Sequence, residues 1–334
     1  MSAATPTLAA VASFPSLLRA FHRARRAKRG RGGEPAFYLH LEDALLDLSE
    51  ELLEGRYRPD PYRYFTLRNR KERVVAEASF RDRVVHHALV AALEPSWERR
   101  YIEHSYACRI GKGTHAAVTA AQVGARRARF FLRMDVRRYF DAIDHQVLFD
   151  LLAAEVSDPA LLSLCGTLMD AAAVPSVPPG ERRGLPIGNL TSQFWANVYL
   201  DPLDHHVTRT LRPGLWLRYM DDMLAFADEK PTLWRLAEEV TDFARDTLRL
   251  TMKRRATFVA PVHDGVPWLG RRVFPSLIRL DRVNRLRVAR ALSRPMPAHP
   301  TDRQLCSLRS RHGLALGADT QQWVRAALTK TPLA

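Results

Sequence analysis

The sequence predicts an α+β fold, and three observations carry that prediction. Helical amphipathic stretches and β-hairpin patterns intersperse without the regular β-α-β rhythm of a parallel sheet. Of 334 residues, 46% are hydrophobic, enough for a sizeable core shared between two or three subdomains. No internal repeat or low-complexity run interrupts the pattern.

Taken in order, Phe14 to Ala27 reads as a short basic amphipathic helix, and "KRGRGG" after it as a joint. Phe37 to Leu53 has apolar residues at helical spacing and stops at Gly55. "YRPDPYRYFTLRNRKERVVAEASF" alternates like a hairpin with "RNRKE" at its tip. A helix from Arg81 to about Leu93 follows. "ARFFLRMD" is a β-run, helices fill much of 145–173, and "VPSVPPGERRGLPIGN" is a loop. "LTSQFWANVYLDPLDHHVTRTL" predicts a long helix with a kink at Pro202. A second hairpin lies around Asp221-Asp222, then a helix over 231–249 and short strands near Thr257–Val259 and in "PWLGRRVFP". The tail, 281–334, reads as helical, basic and polar.

Fifty-one Lys and Arg against thirty-six Asp and Glu leave a net charge of +15, which points to a polyanionic partner, above all nucleic acid. Cys108, Cys165 and Cys306 are too scattered for a metal or redox motif and read as reduced thiols. The apolar start precedes its basic run, the reverse of a signal peptide, and no stretch nears the roughly 18 apolar residues of a membrane span. A cytoplasmic protein is expected.

"LRYMDDMLAF" places two carboxylates side by side inside an apolar run. Leu215, Leu217 and Tyr219 alternate before the pair, and Leu224 and Phe226 after it, so Asp221 and Asp222 sit at a tight turn. "FFLRMD" ends in a third acid, Asp135. Three carboxylates at the ends of adjacent strands suit two divalent cations, and hard oxygen donors beside phosphates suit Mg²⁺, with Mn²⁺ as a substitute. A pair of Asp residues in a turn is by itself ordinary. "LDHH" and His86-His87 offer no chelate, because helical neighbours point about 100° apart, and these histidines read as structural. "GKGTH" lacks the spacing of a phosphate-binding P-loop.

Context adds more. "RYMDD" resembles the catalytic hairpin of reverse transcriptases, "DVRRYFD" the strand bearing their first metal-binding Asp, and "GLPIGNLTSQ" stands between them in the right order. With "ASFRDRVVHHAL", "SYACRIGKGTHAA" and "GLPIGNLTSQFWANVYLDPLDHH", the chain is similar to reverse transcriptases of diversity-generating retroelements, from about Phe14 to Pro275. The resemblance implies a right-hand polymerase with fingers, a palm of antiparallel sheet plus helices, and a short helical thumb. Its expected parts are a basic N-terminal helix and joint (1–33), fingers (34–128), palm (129–275, with 150–188 partly fingers) and thumb (276–334).

By the same resemblance Asp135, Asp221 and Asp222 are catalytic metal ligands, with the Val136 carbonyl completing a shell. Phe140 is a steric gate against the ribose 2′-hydroxyl, though alone it is an ordinary core aromatic. Lys71 and Arg73 grip the incoming triphosphate, or else form a charged tip; Arg81 and Arg83 are weaker candidates for that role. Ile187, Gly188 and Gln193 lie over the templating pair, and Lys253 stands to protonate departing pyrophosphate or is a surface cation. Gly270 belongs to a primer grip, and Arg282, Arg285, Arg287 and Arg290 track phosphates along one helical flank. Most reverse transcriptases have Gln where Ile187 stands and Pro where Gln193 stands. That departure marks the retroelement subfamily and implies cDNA copying that is error-prone at template adenines. Implied partners are template RNA, primer, dNTPs and a small basic pentameric accessory protein. An ordinary bacterial or intron reverse transcriptase, a phage-defence polymerase and a silent RNA-binding scaffold are the alternatives. An intron enzyme would add a maturase region, for which the chain is expected to end too soon.

Overall fold

The computed structural model describes residues 6–26, 29–30, 32–68, 72–171, 174–292 and single positions between 301 and 320. Its elements run α1 (Leu8–Ala12), α2 (Phe14–Arg25), α3 (Glu34–Leu39), α4 (Leu41–Leu53), β1 (Arg63–Arg68), β2 (Glu72–Glu77), α5 (Phe80–Arg100), α6 (Thr114–Arg127), β3 (Phe130–Asp135), α7 (Tyr139–Ala142), α8 (His145–Ala153) and α9 (Pro159–Asp170). Then come α10 (Leu190–His206), β4 (Leu215–Tyr219), β5 (Asp222–Ala227), α11 (Lys230–Asp246), β6 (Phe258–Pro261), β7 (Val266–Trp268), β8 (Arg271–Val273), β9 (Ile278–Leu280) and α12 (Arg282–Leu292). The α+β class expected from the sequence is what forms.

The chain divides into two compact units, each drawn from three segments. The first comprises Met1–Glu103, Val136–His205 and Thr241–Met252; the second His104–Asp135, His206–Val240 and Lys253–Ala334.

In the first unit α2 packs on α5, burying Leu17, Phe21, Val84, Val85 and Leu89. Ser79 caps α5 by accepting from the Asp82 amide. The buried Asp82 carboxylate accepts from the Tyr57 hydroxyl, the Asp60 amide and the Ser79 hydroxyl, which offsets its desolvation. Helix α5 runs seven residues past the expected stop at Leu93, through Pro95. Pro95 removes the amide that would serve the Ala91 carbonyl, yet the helix persists, and the Ser96 hydroxyl donates to the Leu93 carbonyl at 2.7 Å. Near Pro202 the α10 backbone stays helical and passes into a π-helical turn at Val207–Leu211.

The β1–β2 hairpin forms in the register Arg68↔Glu72, but every residue of β1 is exposed, so the alternation read from its sequence does not mark a buried face. Its tip, residues 69–71, lies outside the described residues.

In the second unit a four-stranded antiparallel sheet has the order β4-β5-β3-β6. Helix α6 covers it, and Ala117, Val118, Ala121, Phe131, Leu217, Leu224 and Phe226 share one core. Gly124 is the closest approach: a Cβ there would meet the Phe226 ring at 2.6 Å. A second sheet, β7-β8-β9, contains a strand at Ile278–Leu280 that short length hid from pattern reading. Leu269 and Gly270 both have positive φ, forming the sharp turn expected at "WLGRR", and the Gly270 carbonyl accepts from Asn284 Nδ2 at 2.9 Å. The four arginines of α12 are exposed. At about 100° per residue they spread over roughly 200° of its circumference, not along one flank. Most of 293–334 lies outside the described residues.

Candidate active site

Register builds the acidic cluster. In the β3–β5 ladder Asp135 is directly opposite Asp222, and in the β4–β5 hairpin Tyr219 is opposite Asp222. Paired antiparallel residues have Cα atoms about 4.5–5.5 Å apart, so Asp135 and Asp222 are immediate neighbours. Met220 and Asp221 are then the two loop residues. Met220 has φ 56°, a left-handed conformation that two-residue hairpins normally give to glycine. The fully buried Arg218 reaches back from β4, and its Nη1 donates to the Met220 carbonyl at 3.3 Å. Its backbone joins the segment before α6: Arg218 N donates to His104 O and Tyr106 N donates to Arg218 O.

Two cations face the acids. Arg133, two residues before Asp135 and so on the same face of β3, donates from Nη2 to Asp222 Oδ1 at 2.8 Å. Lys253 Nζ lies 3.2 Å from Asp135 Oδ2, and its backbone N donates to Asp135 O at 2.8 Å. Burial first, then the Asp135 and Asp222 charges, push the Asp221 carboxyl up to about 6, with Lys253 pulling the other way.

Among the described residues no three Asp, Glu, His or Cys side chains converge as a ready-made metal cage. Asp135 and Asp222 each turn an oxygen to a cation instead. The donor chemistry nevertheless fits a divalent cation. Three carboxylates on neighbouring backbone positions repel one another enough to raise one of them, and all three offer hard oxygen ligands.

The sequence profile described as reverse transcriptase (RNA-dependent DNA polymerase) matches residues 65–273, more than half of the chain and inclusive of all three acids. The chain belongs to the reverse transcriptase family. Protein YkfC of Escherichia coli K12 is 25% identical over 266 residues, 68% of this chain and 70% of that protein. Group II intron-encoded protein LtrA of Lactococcus lactis is 27% identical over 170 residues, 50% of this chain but 28% of that protein. Apo telomerase of Candida tropicalis aligns with 80% of this chain and 55% of its own at a TM-score of 0.50 and 10% identity, a likeness of fold alone.

The expected positions Val136, Phe140, Ile187, Gly188, Gln193, Lys71 and Arg73 fall in the first unit. Val136 is buried and bridges to Met252. Phe140 is half-buried, edge-on to Tyr139 at 5.7 Å, and its carbonyl accepts from Leu185 N at 2.7 Å. The Ile187 carbonyl accepts from Ala76 N on β2 at 2.8 Å. Gly188 has φ 120°, and a Cβ there would stand 2.6 Å from Val75 Cγ1 and 2.9 Å from the Ala76 carbonyl. The "GLPIGN" loop is thus fastened to the β1–β2 hairpin, and glycine is required there by β2 itself. Gln193 is exposed on the first turn of α10. Arg73 is exposed on β2, opposite Leu67, and Lys71 lies outside the described residues.

Arg81 and Arg83 do not fit a triphosphate role. Arg81 pairs with Glu51 and lies over the Tyr57 ring, and Arg83 pairs with Glu77. Lys253 is more than a surface cation, being tied to Asp135 twice. Arg133 and Arg218 were missed by sequence reading. The two-residue period places Arg133 on the face of Asp135, a usable signal. Nothing in the pattern distinguishes a buried Arg218 from an exposed one.

Proposed function

We propose that this chain is an RNA-directed DNA polymerase that extends a primer 3′-hydroxyl on template RNA with dNTPs. The observation that carries the reading is the Asp135↔Asp222 register beside the Asp221 turn. In this reading the four-stranded sheet is palm, the exposed β1–β2 hairpin belongs to the fingers, and residues from 276 on begin a thumb. Asp135, Asp221 and Asp222 hold two Mg²⁺ ions, with the Val136 carbonyl as a further ligand. Cations held there would supply acidification of the attacking hydroxyl and charge neutralisation on the leaving pyrophosphate. Arg133 and Lys253 hold Asp222 and Asp135 in place, and those carboxylates would be the ligands of a bound cation. Lys253 Nζ then carries the proton for the pyrophosphate oxygen. Arg73, with Lys71, binds the triphosphate as a pair of cations. Phe140 excludes a 2′-hydroxyl, and Ile187, Gly188 and Gln193 bear on the nascent base pair.

Within this activity we assign the chain to mutagenic copying in a diversity-generating retroelement, alongside a small basic accessory protein. Ile187 in place of Gln supports that reading, because an apolar side chain offers no hydrogen bond beside the forming pair. Its rival is ordinary-fidelity copying, favoured by the matches to LtrA and other intron-encoded proteins. Primer extension on a defined RNA, followed by sequencing of the cDNA, tests both levels. Asp221→Asn with Asp222→Asn abolishes incorporation while RNA retention stays within about threefold, a free-energy change under 1 kcal/mol. Undiminished incorporation by that variant overturns the polymerase site. Errors spread evenly over the four template bases overturn the mutagenic assignment alone.

A further inference from the structure

The first unit carries a surface whose chemistry is opposite to that of the rest of the chain. From Glu34 to Gly55 there are seven Asp or Glu and no Lys or Arg, in a protein of net charge +15. Helix α4 buries Leu45, Leu48 and Leu52 and holds its opposite face out to solvent. On the flank of α4, about 80–100° round from Leu45, Leu46 is 50% exposed and Leu53 55%, and Leu39, at the end of α3, is 76% exposed. Such leucines cost free energy in water, and among the described residues nothing covers them.

Their arrangement is regular. Leu39, Leu46 and Leu53 recur every seven residues, so the two on α4 stack about 10 Å apart along its axis. Seen down the helix, Glu42 lies about 40° to one side of Leu46, and Asp43 and Glu50 about 40–60° to the other. All three acids are exposed; Glu50 is shared with Arg56 at 3.2 Å. An apolar ridge between two acidic borders is half of a helix-pairing surface, in which leucines interlock and flanking charges select the partner.

The borders decide what fits. Glu34 is buried against Arg25, and Glu50, Glu51 and Glu54 pair with Arg56 or Arg81, but the exposed Glu42, Asp43 and Asp47 still repel phosphates of RNA or DNA and the anionic face of a membrane. A convex helix face offers no cavity to a small ligand. We propose that α4 is a docking surface for an amphipathic helix of a partner protein, with leucines along one face and Lys or Arg on both flanks. The proposal does not depend on the polymerase reading, since no residue of α4 belongs to the acidic cluster.

The full-length chain and a fluorescent peptide of about 21 residues, six helical turns, with a leucine stripe and lysine flanks, provide the test. Anisotropy is read in about 0.15 M salt, where weak surface attraction is screened. The patterned peptide binds about tenfold more tightly than a scrambled peptide of the same composition. Leu46→Gln with Leu53→Gln removes that advantage while primer extension is unchanged. Glu42→Gln with Asp43→Asn weakens binding and flattens its salt dependence. Equal binding of both peptides, or of both leucine forms, overturns the proposal. So does a concentration-dependent dimer that the leucine variant abolishes, because a second copy would then be the occupant. A wild-type chain that binds neither peptide overturns it as well.

Discussion

Asp221 is held in a position that costs stability, and replacing it with Asn exposes that cost. Its carboxyl is pushed from 3.8 up to about 6 by burial and by two neighbouring carboxylates. A folded-state pKa above the unfolded one means the folded protein prefers the protonated acid, so stability falls as pH rises from about 4 through 6. Above pH 7 the penalty is at most about 3 kcal/mol, from a little over two pK units at 1.36 kcal/mol each. Half-burial and solvent screening reduce it to about 1.5 kcal/mol. Asp221→Asn keeps the shape and removes the charge, so in EDTA it melts about 3 °C or more above the parent. Added Mg²⁺ relieves the same repulsion in the parent and raises its melting temperature, while the variant responds weakly and incorporates no dNTP. Differential scanning fluorimetry with and without Mg²⁺ measures both shifts. A variant that melts at or below the parent in EDTA, or that gains as much from Mg²⁺, refutes the clustering argument.

Gly188→Ala forces a Cβ into Val75 and the Ala76 carbonyl at φ 120°; urea titration gives a loss of about 2–4 kcal/mol. His86 is buried and held neutral, pushed down to about 3 by burial and then by His87 and Arg83. The unfolded state therefore takes up a proton first, and stability falls as pH drops below 6.5. At pH 5 His86 alone costs about 2 kcal/mol, which urea midpoints at pH 7.5 and 5 detect and His86→Leu removes. An unchanged pH slope in that variant rejects the assignment. Arg218→Met frees the Met220 carbonyl and lowers kcat about tenfold with KM for dNTP nearly unchanged, the cost of one hydrogen bond to a charged group; steady-state primer extension reads the split. Ile187→Gln lowers misincorporation opposite adenine more than opposite other bases, as cDNA sequencing reports.

The parts of this protein legible in its sequence are those written in short-range periodicity. Alternation on both sides of Asp221-Asp222 gave the hairpin and its turn, and "FFLRMD" gave the strand that meets it, because a period of two fixes which side chains share a face. The α4 helix was visible through its 3.6-residue period of apolar residues, although the helix expected from Phe37 to Leu53 is interrupted at His40, between α3 and α4. What escaped depends on partners distant in sequence. Arg81 looked like a phosphate ligand until Glu51 and Tyr57, 30 and 24 residues upstream, were seen to hold it. Strand Ile278–Leu280 is too short to show a period, and α5 continues through Pro95 to Arg100, past the stop at Leu93 that the sequence suggested. The exposed β1 strand shows the converse limit: alternation identified a strand but not which side, if either, was covered.

The same contrast explains why the acidic cluster can be both unstable and exact in position. The β3–β5 ladder, whose register is pinned by the buried Phe131, Leu224 and Phe226, brings Asp135 to Asp222, and its hydrogen bonds are indifferent to the charge on either carboxylate. The repulsion between the acids is built into that register. It is met by cations placed with the same economy, Arg133 from the shared face of β3 and Lys253 through its own backbone bond to Asp135. Arg218 completes the arrangement from beneath, holding the carbonyl of a residue whose φ disfavours any side chain. Backbone register fixes where the acids are, and Arg133 and Lys253 offset the charge of Asp222 and Asp135.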